Sequence, residues 1–469
     1  MRSTSSILQR GDLMELVVKG RVVVPDGILE GGWVGISEGR IAAVGVGDAP
    51  SAVRVDDRGD ALILPGAVDG QTHATSYKGL LGIADTTRSA IAGGVTTLVD
   101  MPYDNPEPLD RPERLDAKVA AIAAHAHADM ALYGTATRET GVANLASLIE
   151  GGVVAFKISS FESNPVRFPR IGEDLALDLM EALVLTRLPL GLHNEDQEIV
   201  LSRIAQAKAA GRDGIVAHVE ARPEAAELAA TGQFLALGLA TGAHAHPVHL
   251  TTEAGFRLTG AIAELGAAAT GELCVHYLWF DAARDGERLG ARMKVNPPIR
   301  AAAIDGLWRS ISEGLVAFVS SDHSSWPIDN KLTASIFDAG AGVPGLETLV
   351  PAFFTAAEAR GLDAARLSAE YLAERPARFF GIDDRKGAIV VGREADLIAL
   401  EQGSFVWDEA ASHDGLNWSP FHGETFTVRV AASWLRGQLV WDGQDILNSP
   451  GSGRFVPRAT AGWFATEKD

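Results

Sequence analysis

Five short apolar runs punctuate the chain, and each stops on a residue type that binds metal ions. Residues 61–69 lead into Gln71 and His73, and residues 152–157 end on Lys157. The other three end on His193 (188–193), His249 (246–249) and Asp322 (315–322). Helical periodicity fills the intervals at 113–126, 145–150, 175–184, 221–237, 254–265 and 301–312, and later at 346–360 and 364–372. Further strands are predicted at 95–101, 130–137 and 271–275, and a loop over 77–87. Buried strands alternating with helices predict a parallel sheet with helices outside. In a closed β/α barrel, functional groups collect at the C-terminal ends of the strands. One His or Lys at a strand end is commonly structural; five in series point to a shared metal-binding mouth.

Both ends of the chain read differently. Residues 16–24 and 33–46 alternate apolar and polar positions, with turns at 25–27 and 38–39, as half-buried antiparallel strands do. Strand patterns return at 386–392, 395–400, 425–431 and 435–441. The expected organisation is an N-terminal part of a β-domain over 1–61, a barrel over 62–380 beginning near Leu62, and the rest of the β-domain with a tail over 381–469. The predicted fold class is thus α/β: a (β/α)8 TIM barrel with a small β-sandwich-like domain built from both termini.

Composition narrows the partners. The 469 residues exceed one ordinary core, and 61 acidic against 41 basic residues give a net charge of -20. Nucleic acid and anionic membranes call for basic patches, so neither is an expected partner. The single cysteine, Cys274, excludes an intrachain disulfide and fits a reducing, cytoplasmic setting. The first ten residues carry no apolar signal core, and no run is long and apolar enough to span a membrane.

The strand-end set suits metal-dependent hydrolysis. His73, His193 and His249 supply imidazoles, and Asp322 a carboxylate. Lys157 is the odd member, because an ammonium has no lone pair to give. Carbon dioxide converts a lysine to an anionic carbamate that bridges two ions; the alternative for Lys157 is a buried salt bridge.

These and further motifs carry a resemblance. Residues 64–69, 92–102, Phe156-Lys157, His193 to Glu195, Arg222-Pro223 and 248–250 are similar to the cyclic amidohydrolases: dihydropyrimidinases, hydantoinases, allantoinases and dihydroorotases. The likeness continues through 272–277, Asn296 to Arg300, Ser321 to His323, Pro376-Ala377, Lys386-Gly387 and 395–397. It implies two divalent ions, usually zinc, of which this chain is expected to hold one or two, and N6-carboxylysine at Lys157. The implied ligands are Gln71, His73, Lys157, His193, His249 and Asp322. Asp322 also becomes the catalytic proton shuttle, and Asn296 a contact to the ring amide. Glu162 is a further substrate-binding candidate, and His323 is either a substrate contact or support for the site. The substrate would be a small cyclic amide and the assembly a homo-oligomer, tetramer or dimer.

Two departures stand out. The family pattern has His where this chain has Gln71, whose neutral amide oxygen is a weaker zinc ligand; the first metal site should be weakened, altered in preference or empty. A tyrosine that polarises the scissile carbonyl in dihydropyrimidinases follows the lysine, and residues 158–162 contain none. A non-catalytic dihydropyrimidinase-like scaffold and a single-metal deaminase are therefore the competing readings. Elsewhere, His125 and His127 read as a solvated pair, His244 and His246 as packing, and Glu272, His276 and Tyr277 as loop bracing. Cys274 reads as core, Asp100 and Asp104 as loop supports, and Tyr77, Phe161 and Trp326 as aromatics that either line the pocket or simply pack.

Overall fold

A computed structural model describes residues 13–464; the expectation that the first ten residues hold no signal core lies outside them. Strands β1 (Met14–Val24), β2 (Gly27–Ser37), β3 (Arg40–Val46) and β4 (Ala52–Pro65) open the chain. Eight parallel barrel strands follow: β5 (Ala67–His73), β6 (Val95–Asp100), β7 (Asp129–Gly134), β8 (Ala155–Ser159), β9 (Leu190–His193), β10 (Ala245–Pro247), β11 (Leu273–Cys274) and β12 (Val319–Ser320). A short β13 (His323–Ser324) pairs with β5 and brings the last barrel strand back to the first. Strands β14 (Leu397–Val406), β15 (Thr425–Leu435) and β16 (Gln438–Trp441) then join β1 to β4 in one seven-stranded sheet, ordered β16-β15-β14-β4-β1-β2-β3.

The two chain ends meet through β4, a 14-residue strand that pairs with β1 along one edge and with β14 along the other. Leu62 to Pro65 still belong to this sheet, so the barrel starts after Gly66 rather than near Leu62. Two other readings change. Residues 77–87 contain the start of a helix, Gly82–Ala92, whose Asp85, Thr86 and Thr87 have low helix propensity but whose apolar face is buried. A helix at Gln197–Ala209, and another at Ile215–Ala221, lie where weak amphipathic patterning gave no prediction.

Strand parity decides which residues enter the barrel. On β8, Phe156 and Ile158 join the core under the helices, while Ala155 packs in a separate cluster with Val68, Val99, Tyr133 and Phe318. Lys157 shares the parity of Ala155. On β9, Leu190 and Leu192 face the helices and His193 takes the other side. Phe379 and Phe380 close the floor of the barrel against Phe318, whose ring reaches so near Gly70 that any Cβ there would lie 2.2 Å away. Aromatic rings thus form the floor, with His246 packed among them.

Candidate active site

At the C-terminal ends of the barrel strands lies one cavity of about 470 Å³. Gln71, His73, Lys157, His193, His249 and Asp322 all line it, together with Asn296, Glu162, Phe161 and Trp326. Six residues spread over 252 positions of sequence thus share a single mouth. His249 and Asp322 have left-handed backbones, φ 42° and 48°. Such residues, when not glycine, cost on the order of 1–3 kcal/mol each and persist where surrounding structure enforces them.

Glu195 fixes the first imidazole. Its Oε2 lies 3.0 Å from His193 Nε2, which assigns the proton to Nε2 and leaves the Nδ1 lone pair free. Burial alone would raise the Glu195 carboxyl; Arg222 and His193 outweigh it and hold the group well below the usual carboxylate range. His193 Nδ1 then faces His249 Nε2 at 3.0 Å. Burial, with His193 and Lys157 nearby, keeps His249 far below the ordinary histidine value, so its imidazole is neutral.

Across the cavity, His73 Nε2 lies 3.4 Å from Asp322 Oδ1, and Gln71 donates from Nε2 to that same oxygen at 3.0 Å. Burial opposes charge on Asp322, yet His73, His249 and Lys157 win and hold its carboxyl far below its ordinary value. Lys157 is 2% exposed. Burial lowers its ammonium, against the pull of Asp322 and Glu272. Among the described residues, the buried Gln71 Oε1, His73 Nδ1, His249 Nδ1 and Asn296 Oδ1 have no hydrogen-bond partner.

This donor set fits a divalent ion. Two ligands on one tetrahedral zinc, each at 2.0–2.1 Å, stand about 3.3 Å apart. The two facing pairs, at 3.0 and 3.4 Å, have that spacing.

Other expectations fall elsewhere. His323 does not line the cavity; its Nδ1 accepts from Gly345 N at 3.2 Å and braces β13. Glu162 sits exposed at the rim. His127 is buried rather than solvated, its Nδ1 2.9 Å from Asn448 Oδ1. His246 packs between Phe318 and Phe379. Tyr277 braces a loop through Pro297 O at 2.7 Å. Glu272 is buried with its Oε2 3.6 Å from His246 Nε2 and neither oxygen hydrogen-bonded, and burial raises its carboxyl well above the ordinary value although Lys157 opposes it. Asp100 and Asp104 hold the buried Lys118 at 2.7 and 2.8 Å, and Asp100 also accepts from Ala74 N, fixing the turn after His73.

The amidohydrolase family profile matches residues 62–440. The chain belongs to the amidohydrolase family. An allantoinase from Rubrobacter xylanophilus is 36% identical over 453 residues, covering 94% of this chain and 97% of that one. An L-hydantoinase from Paenarthrobacter aurescens is 29% identical, covering 95% and 98%. Among solved structures, the L-hydantoinase (dihydropyrimidinase) of Arthrobacter aurescens superposes with a TM-score of 0.89 at 28% identity, over 95% of this chain and 100% of the other. This amidohydrolase is thus a cyclic amidohydrolase, an enzyme acting on C–N bonds other than peptide bonds. Among the described residues of the amidohydrolase, no helix is long and apolar enough to cross a membrane.

Sequence reasoning gave Glu195 no role and overlooked Tyr103, Arg167 and Lys294, all three of which line the cavity. For Glu195 the signal was present in the two-residue spacing from His193. For Tyr103 it was an aromatic directly after the Met101-Pro102 strand end.

Proposed function

We propose that the enzyme opens the ring of a five-membered cyclic ureide, allantoin foremost and hydantoins next, by adding water across one ring amide. The observation that carries this reading is the convergence of His73, Lys157, His193, His249 and Asp322 on one cavity. Its size suits a small ring, and Ser163, Asn164 and Asn296 on its walls suit a polar substituent such as a ureido group. The allantoinase relatives support the same choice.

In this reading His193 and His249 hold one divalent ion, zinc by preference. His73 and Asp322 face a second position, with Gln71 as a weak ligand or none. A bound ion would acidify water and polarise the amide carbonyl. Lys157, if carboxylated, would supply an anionic oxygen ligand; burial favours the uncharged amine that reacts with carbon dioxide. Asp322 takes the proton from the attacking water and returns it to the departing ring nitrogen. Gln71 holds Asp322 through its amide, and Asn296 offers Oδ1 to a ring N–H. The product is a ring-opened ureido acid. A homo-oligomer, tetramer or dimer, in the cytoplasm completes the reading; exposed Val53 and Val55 on β4 offer apolar surface for it.

The test combines metal analysis with assays on allantoin, hydantoins, dihydrouracil, dihydroorotate and cyclic imides. Ring opening of allantoin or hydantoins by protein containing zinc is expected. Ammonia release without ring opening would replace this function with deamination, and absence of both metal and turnover would leave a scaffold.

A further inference from the structure

The loop after Lys157 lacks the phenol that relatives of the dihydropyrimidinase type use there, yet the cavity does contain one. Tyr103 reaches it from the loop after β6. Its ring meets the His73 imidazole edge-on, with centroids 6.0 Å apart. Phe168 packs against the other side at 5.3 Å, and the same Phe168 ring lies 5.7 Å from Lys157 Nζ. Tyr103 therefore stands beside one proposed ligand and one aromatic ring away from another.

The segment after β8, which has no tyrosine at 158–162, holds this one. Asn164 Oδ1 accepts from Val166 N at 3.0 Å and Arg167 N at 2.9 Å, folding the loop into a turn. That turn delivers Arg167, whose guanidinium carbon lies 4.7 Å from the Tyr103 ring centroid. Arg167 Nη1 is itself anchored on Ser76 O at 2.7 Å, three residues beyond His73. The phenol is clamped by a cation and an aromatic ring, both from the segment after β8.

We propose that Tyr103 is the oxyanion-stabilising catalytic residue of this enzyme, taking over from a second strand the task that relatives assign to the loop after the lysine, with Arg167 as its positioning residue. The inference rests on the cyclic-amide hydrolase reading. When water oxygen adds to the ring carbonyl carbon, the C=O π pair moves onto the carbonyl oxygen, and the Tyr103 O–H donates a hydrogen bond to it. The water proton passes to Asp322. As the C–N bond breaks, the π pair returns and Asp322 delivers the proton to nitrogen.

Two measurements on the metal-replete enzyme test this. Tyr103→Phe should lower kcat by about 100- to 1000-fold, the loss typical of one oxyanion donor, while KM and metal content stay near those of the parent. Binding of a cyclic phosphoramidate, a tetrahedral anionic analogue, should weaken by a similar factor in calorimetry, while binding of an unreactive planar ring ligand stays unchanged. Arg167→Lys should fall between parent and Tyr103→Phe in kcat. If the parent turns over its substrate and Tyr103→Phe matches it in kcat and analogue affinity, the Tyr103 role is overturned and the hydrolase reading stands. If the parent neither turns over any ring amide nor binds the analogue, the hydrolase reading fails and takes the Tyr103 role with it.

Discussion

Gln71 donates its amide N–H to the Oδ1 of Asp322, 251 residues further along the chain, at 3.0 Å. An imidazole at position 71 would offer a lone pair to an ion; this amide instead occupies one oxygen of the carboxylate proposed above as the proton shuttle. Its other end, Oε1, is buried without a partner. With Nε2 committed to Asp322, only this neutral oxygen is left for an ion, and it is a weaker ligand than an imidazole nitrogen. Gln71→His is expected to raise the metal bound per chain after gentle purification. Equal metal content in parent and variant would mean that Gln71 does not limit occupancy.

Lys157 has its Nζ among burial, Asp322 and Glu272, with burial lowering the ammonium. A carbamate formed there should be needed for metal loading. Apoprotein reloaded with zinc in carbon-dioxide-depleted buffer is expected to regain activity slowly, and quickly once bicarbonate is added. Lys157→Ala should lose at least about 100-fold in metal affinity or activity, and short carboxylic acids that fit the vacated space should restore part of it. Reloading at the same rate with and without bicarbonate would argue for an unmodified lysine.

Much of this site was legible because barrel strands announce themselves twice, by an apolar run and by the polar residue ending it. Lys157 and His193 were legible as the polar ends of apolar runs. His249 was found by type and position, although its left-handed backbone was not visible. Gln71 was legible as a departure but not as a donor to Asp322, since that contact joins two strands distant in sequence. Tyr103 was missed because an aromatic after a strand usually packs, and its clamp by Arg167 and Phe168 exists only once two loops meet. His323, beside Asp322 in sequence, read equally as a substrate contact or as support, and its bond from Gly345 N is of the second kind. In the fold, β4 hid the start of the barrel: its last four residues are as apolar as a barrel strand, but pair with β14.

His413 gives the fold a pH-dependent contact. Its Nδ1 lies 3.0 Å from Glu347 Oε2, and its backbone N–H donates to Glu347 Oε1 at 2.6 Å. The bond to Glu347 raises the imidazole above its ordinary value, although burial opposes it. A raised folded value means that the contribution is fully present below the unfolded histidine value of about 6.5 and is lost as pH rises through the folded value. The edge-on contact with Trp441, at 4.9 Å between centroids, does not titrate in this way. His413→Gln should therefore lower Tm more at pH 6 than at pH 9, with a smaller loss remaining at pH 9. A Tm difference equal at both values would show that the ion pair adds nothing to the packing.

Asp129, Glu394 and Asp396 lie close enough together to hold a cation, and Lys386 already stands among them. Its Nζ is 2.6 Å from an oxygen of each, and Arg436 adds a second contact to Asp129. Burial works against the Lys386 ammonium, but the three carboxylates prevail and raise it above its ordinary value. Asp129 begins β7 of the barrel, whereas Lys386, Glu394, Asp396 and Arg436 come from the C-terminal segment, so the cluster pins the terminal sheet to the barrel. Removing only the cation leaves buried carboxylates facing one another. Lys386→Met is expected to destabilise by about 3–5 kcal/mol, the cost of breaking a buried ion pair from one side, read as a lower urea midpoint. The double variant Lys386→Met with Asp396→Leu should recover part of the loss, because it removes one stranded charge along with the lysine. A double variant no more stable than the single would mean that the remaining carboxylates, not Asp396, carry the repulsion.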